Sequence, residues 1–197
     1  ISPGIALANP EVQSAISRGI EVIGDIELFA RALPTADRPK ILAVTGTNGK
    51  STVTALAGAL VRAAGIDCEV AGNISPAALS ALGDREAANK SPAVWVLELS
   101  SYQLETTSSL DADAATMLNL SEDHLDRYPS IVEYGAAKAR IFAGWGLQVL
   151  NRDDPASLAM RRLGREIVTF GLGPAPTPDD YGLLQSATGF MLARGSE

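Results

Sequence analysis

The stretch Lys40-Ile41-Leu42-Ala43-Val44-Thr45-Gly46-Thr47-Asn48-Gly49-Lys50-Ser51-Thr52 decides the reading of this 197-residue chain. The apolar run Ile41–Thr45 predicts a strand, the glycines at 46 and 49 a tight loop, and Ser51–Ala64 an amphipathic helix stopped by Gly65. Such a loop turns backbone amides toward a phosphate, and the N-terminus of the following helix adds its positive end. Lys50 can reach terminal phosphates, and the Ser51 hydroxyl can ligate Mg²⁺. The longer phosphate-loop consensus places a glycine five residues before the Gly-Lys pair. Here that position is Val44, so the chain carries a shorter GxxGKS form. The plain alternative is a strand-to-helix turn with an incidental lysine.

Outward from the loop the alternation of short apolar runs and amphipathic segments continues. Strands are expected at Cys68–Ala71, Ala93–Leu99, Ala114–Leu118, Leu147–Leu150 and Ile167–Phe170, and helices at Pro76–Leu82, Ile131–Phe142 and Pro155–Leu163. The uninterrupted apolar run Ala93–Leu99 suits a strand covered on both faces, so the fold class is α/β: a P-loop-containing, mostly parallel, doubly wound sheet flanked by helices. Upstream, Asn9 caps a helix starting at Pro10, Ile20–Ile23 reads as a short strand, and Asp25 caps a helix carrying Ile26, Leu28, Phe29 and Leu33. Pro34–Pro39 reads as a linker, Gly171–Asp180 as a boundary, and Tyr181–Arg194 as a terminal hairpin. Trp95 and Trp145 are assigned to packing.

Composition sets limits on partners. Sixteen Lys+Arg against 23 Asp+Glu give a net charge of −7, a poor footprint for nucleic acid or an anionic membrane, so any phosphate binding must be local. One cysteine, Cys68, allows no internal disulfide, and no apolar run approaches the ~20 residues needed to span a bilayer. A cytoplasmic location with no membrane insertion is expected.

Several residues elsewhere carry possible chemistry. Glu98 closes a strand that leads to the carboxyl edge of the sheet, where open α/β folds bind ligands and where a carboxylate suits Mg²⁺ or a lysine partner equally. His124, the only histidine, lies among Glu122, Asp123 and Asp126 in a turn after a buried strand. Taken alone it reads as surface or core filler, and Lys138 as a solvated helix charge with Arg140 close by. Asn73, Ser100 and Gln103 taken alone read as loop-to-helix caps.

The segments Gly46–Thr52, Leu97-Glu98-Leu99-Ser100-Ser101-Tyr102-Gln103-Leu104-Glu105 and Asn119-Leu120-Ser121-Glu122-Asp123-His124-Leu125-Asp126-Arg127-Tyr128 together resemble the Mur ligase family. The Leu-Glu-Leu-Ser-Ser-aromatic-Gln-Leu-Glu-Thr-Thr run points to its branch that joins D-glutamate to UDP-N-acetylmuramoyl-L-alanine. The resemblance implies an ATP-dependent amide ligase of cytoplasmic peptidoglycan precursor synthesis, working through an acyl phosphate. It implies nucleotide binding by Gly46, Thr47, Asn48, Gly49, Lys50, Ser51 and Thr52, and catalytic roles for Lys50, Glu98, His124 and Lys138. It implies two Mg²⁺ ions, one on Ser51 and Glu98, the other on His124 and a carbamate formed on Lys138. Substrate contacts fall to Asn73, Ser100, Gln103 and His124, although Ser75 departs from the family's Gly-Asn-Ile-Gly loop. Residues 1–34 then correspond to the tail of a UDP-binding domain and linker, and residues 35–197 to a central ATP-binding domain truncated at its C-terminal end. The amino-acid domain is expected to be absent, with the adenine contacts beyond Glu197 and the protein a monomer. A non-ligating nucleotide-binding module and a folate-type or other Mur-type ligase remain the alternatives.

Overall fold

The computed structural model describes residues 1–187 and 189–195. Among the described residues seven α-helices and eight strands follow one another as α1 (Pro10–Ser17), α2 (Asp25–Ala32), β1 (Lys40–Thr45), α3 (Lys50–Ala63), β2 (Cys68–Gly72), α4 (Ala78–Ala87), β3 (Val94–Glu98), α5 (Ser101–Leu104), β4 (Ala114–Met117), α6 (Ile131–Ala139), β5 (Leu147–Asn151), α7 (Pro155–Ala159), β6 (Ile167–Phe170), β7 (Tyr181–Ser186) and β8 (Gly189–Arg194). The strands form one sheet in the order β2-β3-β1-β4-β5-β6-β7-β8, parallel except for the β7–β8 hairpin. No described helix is long and apolar enough to cross a membrane.

The order of strands reverses at β1, which pairs with β3 on one side and β4 on the other. In such sheets the crevice beyond the carboxyl ends at the reversal is where ligands collect. Register aligns those ends: Glu98 lies opposite both Val44 and Gly72, and Thr45 opposite Met117. At Gly72, with φ 118°, a Cβ would sit 2.2 Å from the Glu98 carbonyl oxygen, so only glycine lets β2 close on β3 there.

The core packs α2 and α4 against one sheet face, with Ile26, Phe29, Ala78, Leu82, Trp95 and Leu97 all buried and the Phe29 and Trp95 rings edge-to-face at 4.9 Å. Helix α2 is also pinned by its acids. Glu27, fully buried, accepts from the Ser108 and Ser109 amides at 2.7 and 2.9 Å and from Arg31 at 2.8 Å. Burial alone would raise this carboxyl, but the three donors outweigh it and bring it down to about 2. Asp25 accepts from the Gln103 amide at 2.8 Å, which ties the start of α2 to α5.

Most predicted elements are present within a few residues of their expected bounds, the terminal hairpin included, although α4 runs through Gly83 to Ala87, five residues past its expected end, and the short α5 is not among the expected helices. The other exceptions have physical causes. Ile20–Ile23 forms no strand because no ladder partner runs beside it; Glu21 pairs instead with Arg31. Asp25 is the first residue of α2, and the cap is Gly24, where any Cβ would collide with Thr106 Oγ1 at 2.3 Å. Helix α7 stops at Ala159 because the Gln148 side chain holds the Met160 carbonyl and the Arg162 amide at 3.3 and 2.8 Å. Trp95 is packed in the core as expected, whereas Trp145 is 81% exposed with the Arg165 guanidinium over its ring.

On the opposite face α3 lies against β2, and a Cβ on Gly58 would meet Val70 Cγ2 at 2.3 Å. Gly58→Ala is therefore expected to cost about 1–3 kcal/mol by overpacking, reversing the usual helix preference for alanine. Gly83 in α4 is exposed with open space around it. There the same change should stabilise by about 0.5–1 kcal/mol. Urea unfolding of the two variants measures both signs.

Candidate functional site

The loop between β1 and α3 is held open from its flanks. Gly49, with φ 81°, caps α3 in the left-handed region, and Gly46 is so close to Leu118 that a Cβ would stand 3.0 Å from Leu118 Cβ. The Thr47 amide donates to the Asn119 carbonyl at 2.9 Å, and the Asn48 amide to Asn119 Oδ1 at 2.9 Å, with Asn119 Nδ2 returning a bond to the Asn48 carbonyl. Lys50 folds back to donate to the Thr47 carbonyl at 2.9 Å, while Ser51 and Thr52 are exposed on the first turn of α3. A 14-residue helix thus presents its free N-terminal amides, a lysine and two hydroxyls to one point at the sheet edge.

Glu98 is 2% exposed at the end of β3. Its Oε1 accepts from Asn73 Nδ2 at 2.7 Å, but Oε2 is buried without any partner. A buried carboxylate oxygen with no donor is costly in isolation and is the feature a cation would complete. Asn73 itself is fixed by its amide on the Glu98 carbonyl at 2.8 Å.

Lys138 on α6 is 1% exposed and points into the loop, donating to the Gly46 carbonyl at 2.8 Å and lying 4.7 Å from the centre of the Tyr134 ring. Burial and then the Lys50 charge drive its ammonium down to about 7, against an ordinary 10.5, so the neutral amine is populated near neutral pH. The charge beside it is thus Lys50; Arg140 turns away to donate to the Leu104 and Thr107 carbonyls. His124 has φ 54° and is 42% exposed, its Nδ1 2.9 Å from the Tyr102 hydroxyl and its Nε2 3.6 Å from Asp123 Oδ2. The Tyr134 ring stands edge-on to His124 at 5.9 Å, and its hydroxyl lies 3.4 Å from Thr47 Oγ1.

The structure therefore gathers Lys50, Lys138 and the glycine loop directly, links His124 to that loop through Tyr134, and sets Glu98 with Asn73 on the neighbouring strand ends. Ser100 and Gln103 form a capping box at α5, and the Gln103 carboxamide, 4% exposed, is taken up by Ser100 and Asp25. Among the described residues no three His, Cys, Asp or Glu side chains cluster to hold a metal. Two Mg²⁺ sites here would draw on the Ser51 hydroxyl with the free Glu98 oxygen, and on His124 with Lys138 once it carries a carbamate, phosphate and water completing the shells that this ion prefers. Asn119 and the tyrosines 102 and 134 were not singled out from sequence; an asparagine directly after a buried strand was the one available signal. A cavity of about 660 Å³ lies farther along the same edge, bordered by Asn151, Phe170, Leu183 and Leu192.

Residues 44–184 match the family model of the Mur ligase middle domain. The chain is 58% identical to the UDP-N-acetylmuramoylalanine–D-glutamate ligase of Nitrosomonas europaea, aligned over 100% of the chain and 43% of that protein. It is 54% identical to the enzyme of the same name from Thiobacillus denitrificans, over 94% of the chain and 42% of the relative. Among solved structures, a UDP-N-acetylmuramoyl-L-alanyl-D-glutamate–2,6-diaminopimelate ligase superposes with a TM-score of 0.62 at 27% identity, covering 92% of this chain and 48% of the other. The chain spans less than half the length of these relatives.

Because folded Lys138 holds its proton only to about pH 7 and an unfolded lysine to about 10.5, the unfolded state binds more protons between those values. Stability should rise with pH across that window, and below it the cost of burying the ammonium is constant. In bicarbonate-free buffer, the unfolding free energy of the wild type relative to Lys138→Met is expected to climb by about 2 kcal/mol from pH 7 to 9. A flat difference would mean that Lys138 titrates as an exposed lysine.

Proposed function

The chain belongs to the Mur ligase family, and from that premise we propose that it is the ATP-dependent core of an amide ligase joining D-glutamate to UDP-N-acetylmuramoyl-L-alanine. The observation that carries this reading is the buried lysine, neutral near physiological pH, set 2.8 Å from the first carbonyl of the phosphate loop. A nucleotide switch has no use for it. Support for the substrate pair comes from the names of the two relatives above 50% identity.

In this reading the amides of the loop and of the first turn of α3 hold the phosphates of ATP, and Lys50 turns from the Thr47 carbonyl onto the terminal phosphates. The substrate carboxylate attacks the γ-phosphorus with loss of ADP; the amine of D-glutamate then attacks the acyl phosphate and expels inorganic phosphate. The neutral Lys138 amine can add CO₂ at Nζ and lose a proton, becoming an anionic carbamate. Two Mg²⁺ ions, one held by Ser51 and Glu98 and the other by His124 and that carbamate, would supply neutralising charge for the transferring phosphoryl group. Asn73 fixes the orientation of Glu98, and Ser100 lies next in line along the same edge for substrate contact. Residues 1–34 would then close a preceding domain that takes the UDP moiety, in a cytoplasmic, monomeric enzyme.

The test is phosphate release by the full-length protein with Mg-ATP and UDP-N-acetylmuramoyl-L-alanine, comparing D-glutamate with L-lysine, diaminopimelate and no amine. Release that requires both the carboxylate acceptor and D-glutamate is expected; release with another amine would move the specificity, and release indifferent to both would leave a nucleotide-binding module. Lys50→Ala should lower kcat by roughly 10²–10³-fold or more while the unfolding midpoint stays put.

A further inference from the structure

We infer that Tyr102 is the positioning residue for His124: its hydroxyl sets the plane and tautomer of the imidazole so that Nε2 is presented beside the Asp123 carboxylate. The backbone of His124 is fixed by short-range bonds. Its amide donates to Asp123 Oδ1 at 2.9 Å, and its carbonyl accepts from the Arg127 and Tyr128 amides at 2.9 and 3.0 Å. The ring is nevertheless 42% exposed and would be free to rotate without a partner. The Tyr102 hydroxyl supplies that partner, 2.9 Å from Nδ1, with the two rings 4.8 Å apart.

Tyr102 can do this because it is itself immobile. It sits on α5, whose capping box rigidifies the turn after Glu98, and the Arg127 guanidinium lies 4.2 Å from its ring centre. Arg127 is locked in turn by a nearly buried ion pair with Glu105 at 2.5 Å.

The tautomer follows from both contacts. A phenol donates more readily than it accepts, so the Tyr102 hydroxyl 2.9 Å away favours a bare Nδ1, while Nε2 faces the Asp123 carboxylate at 3.6 Å, too far for a hydrogen bond but close in Coulomb terms. A lone pair on Nε2 would oppose that carboxylate and an N–H would attract it. In the protein alone the neutral ring therefore carries its proton on Nε2, and Tyr102 donates to Nδ1. A hydroxyl is both donor and acceptor, so when Nε2 gives its lone pair to a cation the same oxygen accepts from Nδ1–H with no movement of either ring. Phenylalanine at 102 keeps the stacking and the Arg127 contact but loses both options.

The structural part stands without the ligase reading; the consequence for turnover rests on it. Selective ¹⁵N-histidine labelling, with His124→Gln to identify the resonances, reads the tautomer by long-range ¹H–¹⁵N correlation at about pH 8, above the ordinary imidazole range. The wild type is expected to show an unprotonated Nδ1 and a protonated Nε2, and Tyr102→Phe a measurably larger share of the Nδ1-protonated tautomer. A wild type protonated on Nδ1, or a Tyr102→Phe spectrum that superposes on it, overturns the proposal. With Mg-ATP the wild-type pattern should reverse; if it holds, Tyr102 keeps its role and His124 is removed from the metal set. In the ligation assay Tyr102→Phe should lose about 10-fold in kcat with KM for the UDP substrate unchanged.

Discussion

Strand β1 is hydrogen-bonded in parallel on both sides, to β3 and to β4, and the chain leaves β1 toward β2 on one side of the sheet but leaves β3 toward β4 on the other. Every functional feature depends on this one constraint. A strand paired along both edges has no lateral exit, so its continuation must leave over the carboxyl end, and the glycine loop does so. Because parallel register also aligns the ends of β2, β3 and β4, the residues that follow them, Asn73, Ser100 and Asn119, are delivered to the same edge without any long-range search.

What accumulates at that edge is electrostatically unfavourable in isolation. Two lysines, one of them 1% exposed, stand together, and a carboxylate with an unpartnered oxygen lies buried on the next strand end. Neither arrangement stabilises a fold; each is carried by the stability of the surrounding core, in which Trp95, Leu97, Leu99, Tyr134 and Met117 are buried. The same low-dielectric surroundings that raise the cost of Lys138 as an ammonium make its amine available, so the energetic penalty and the chemistry have one source.

The sheet, the loop and the order of elements were legible from the chain because they rest on local signals: apolar runs of strand length, glycines at 46, 49 and 65, and an asparagine-proline helix start at 9 and 10. The family resemblance added the identities of Glu98, His124 and Lys138, which periodicity leaves bland. What stayed hidden depends on partners far apart in sequence. The Gln103 amide reads locally as a cap, and half of its use is at Asp25, 78 positions away. Tyr102 and His124 are 22 residues apart, and no spacing rule joins them. Ile20–Ile23 has the composition of a strand but no neighbour to pair with, and α7 is cut short by a side chain on β5. The bond from Lys138 to the loop spans 92 residues and is made only once the sheet is assembled.

The double anchorage of α2, through Glu27 on the Ser108 and Ser109 amides and Asp25 on Gln103, has a mechanical consequence. A proline-rich segment such as Pro34–Pro39 invites reading as a joint, yet it connects two parts of a single rigid block, since α2 on one side and β1 on the other share one core. The looser stretch is Gly19–Gly24, which belongs to no helix or strand, is bounded by glycines, and is tied by local bonds, among them the Ile1 ammonium on the Ile23 carbonyl and the Glu21–Arg31 pair. Anything that swings on the amino-terminal side of this block would pivot there, and its leverage would arrive at α5, directly beside Glu98 and His124.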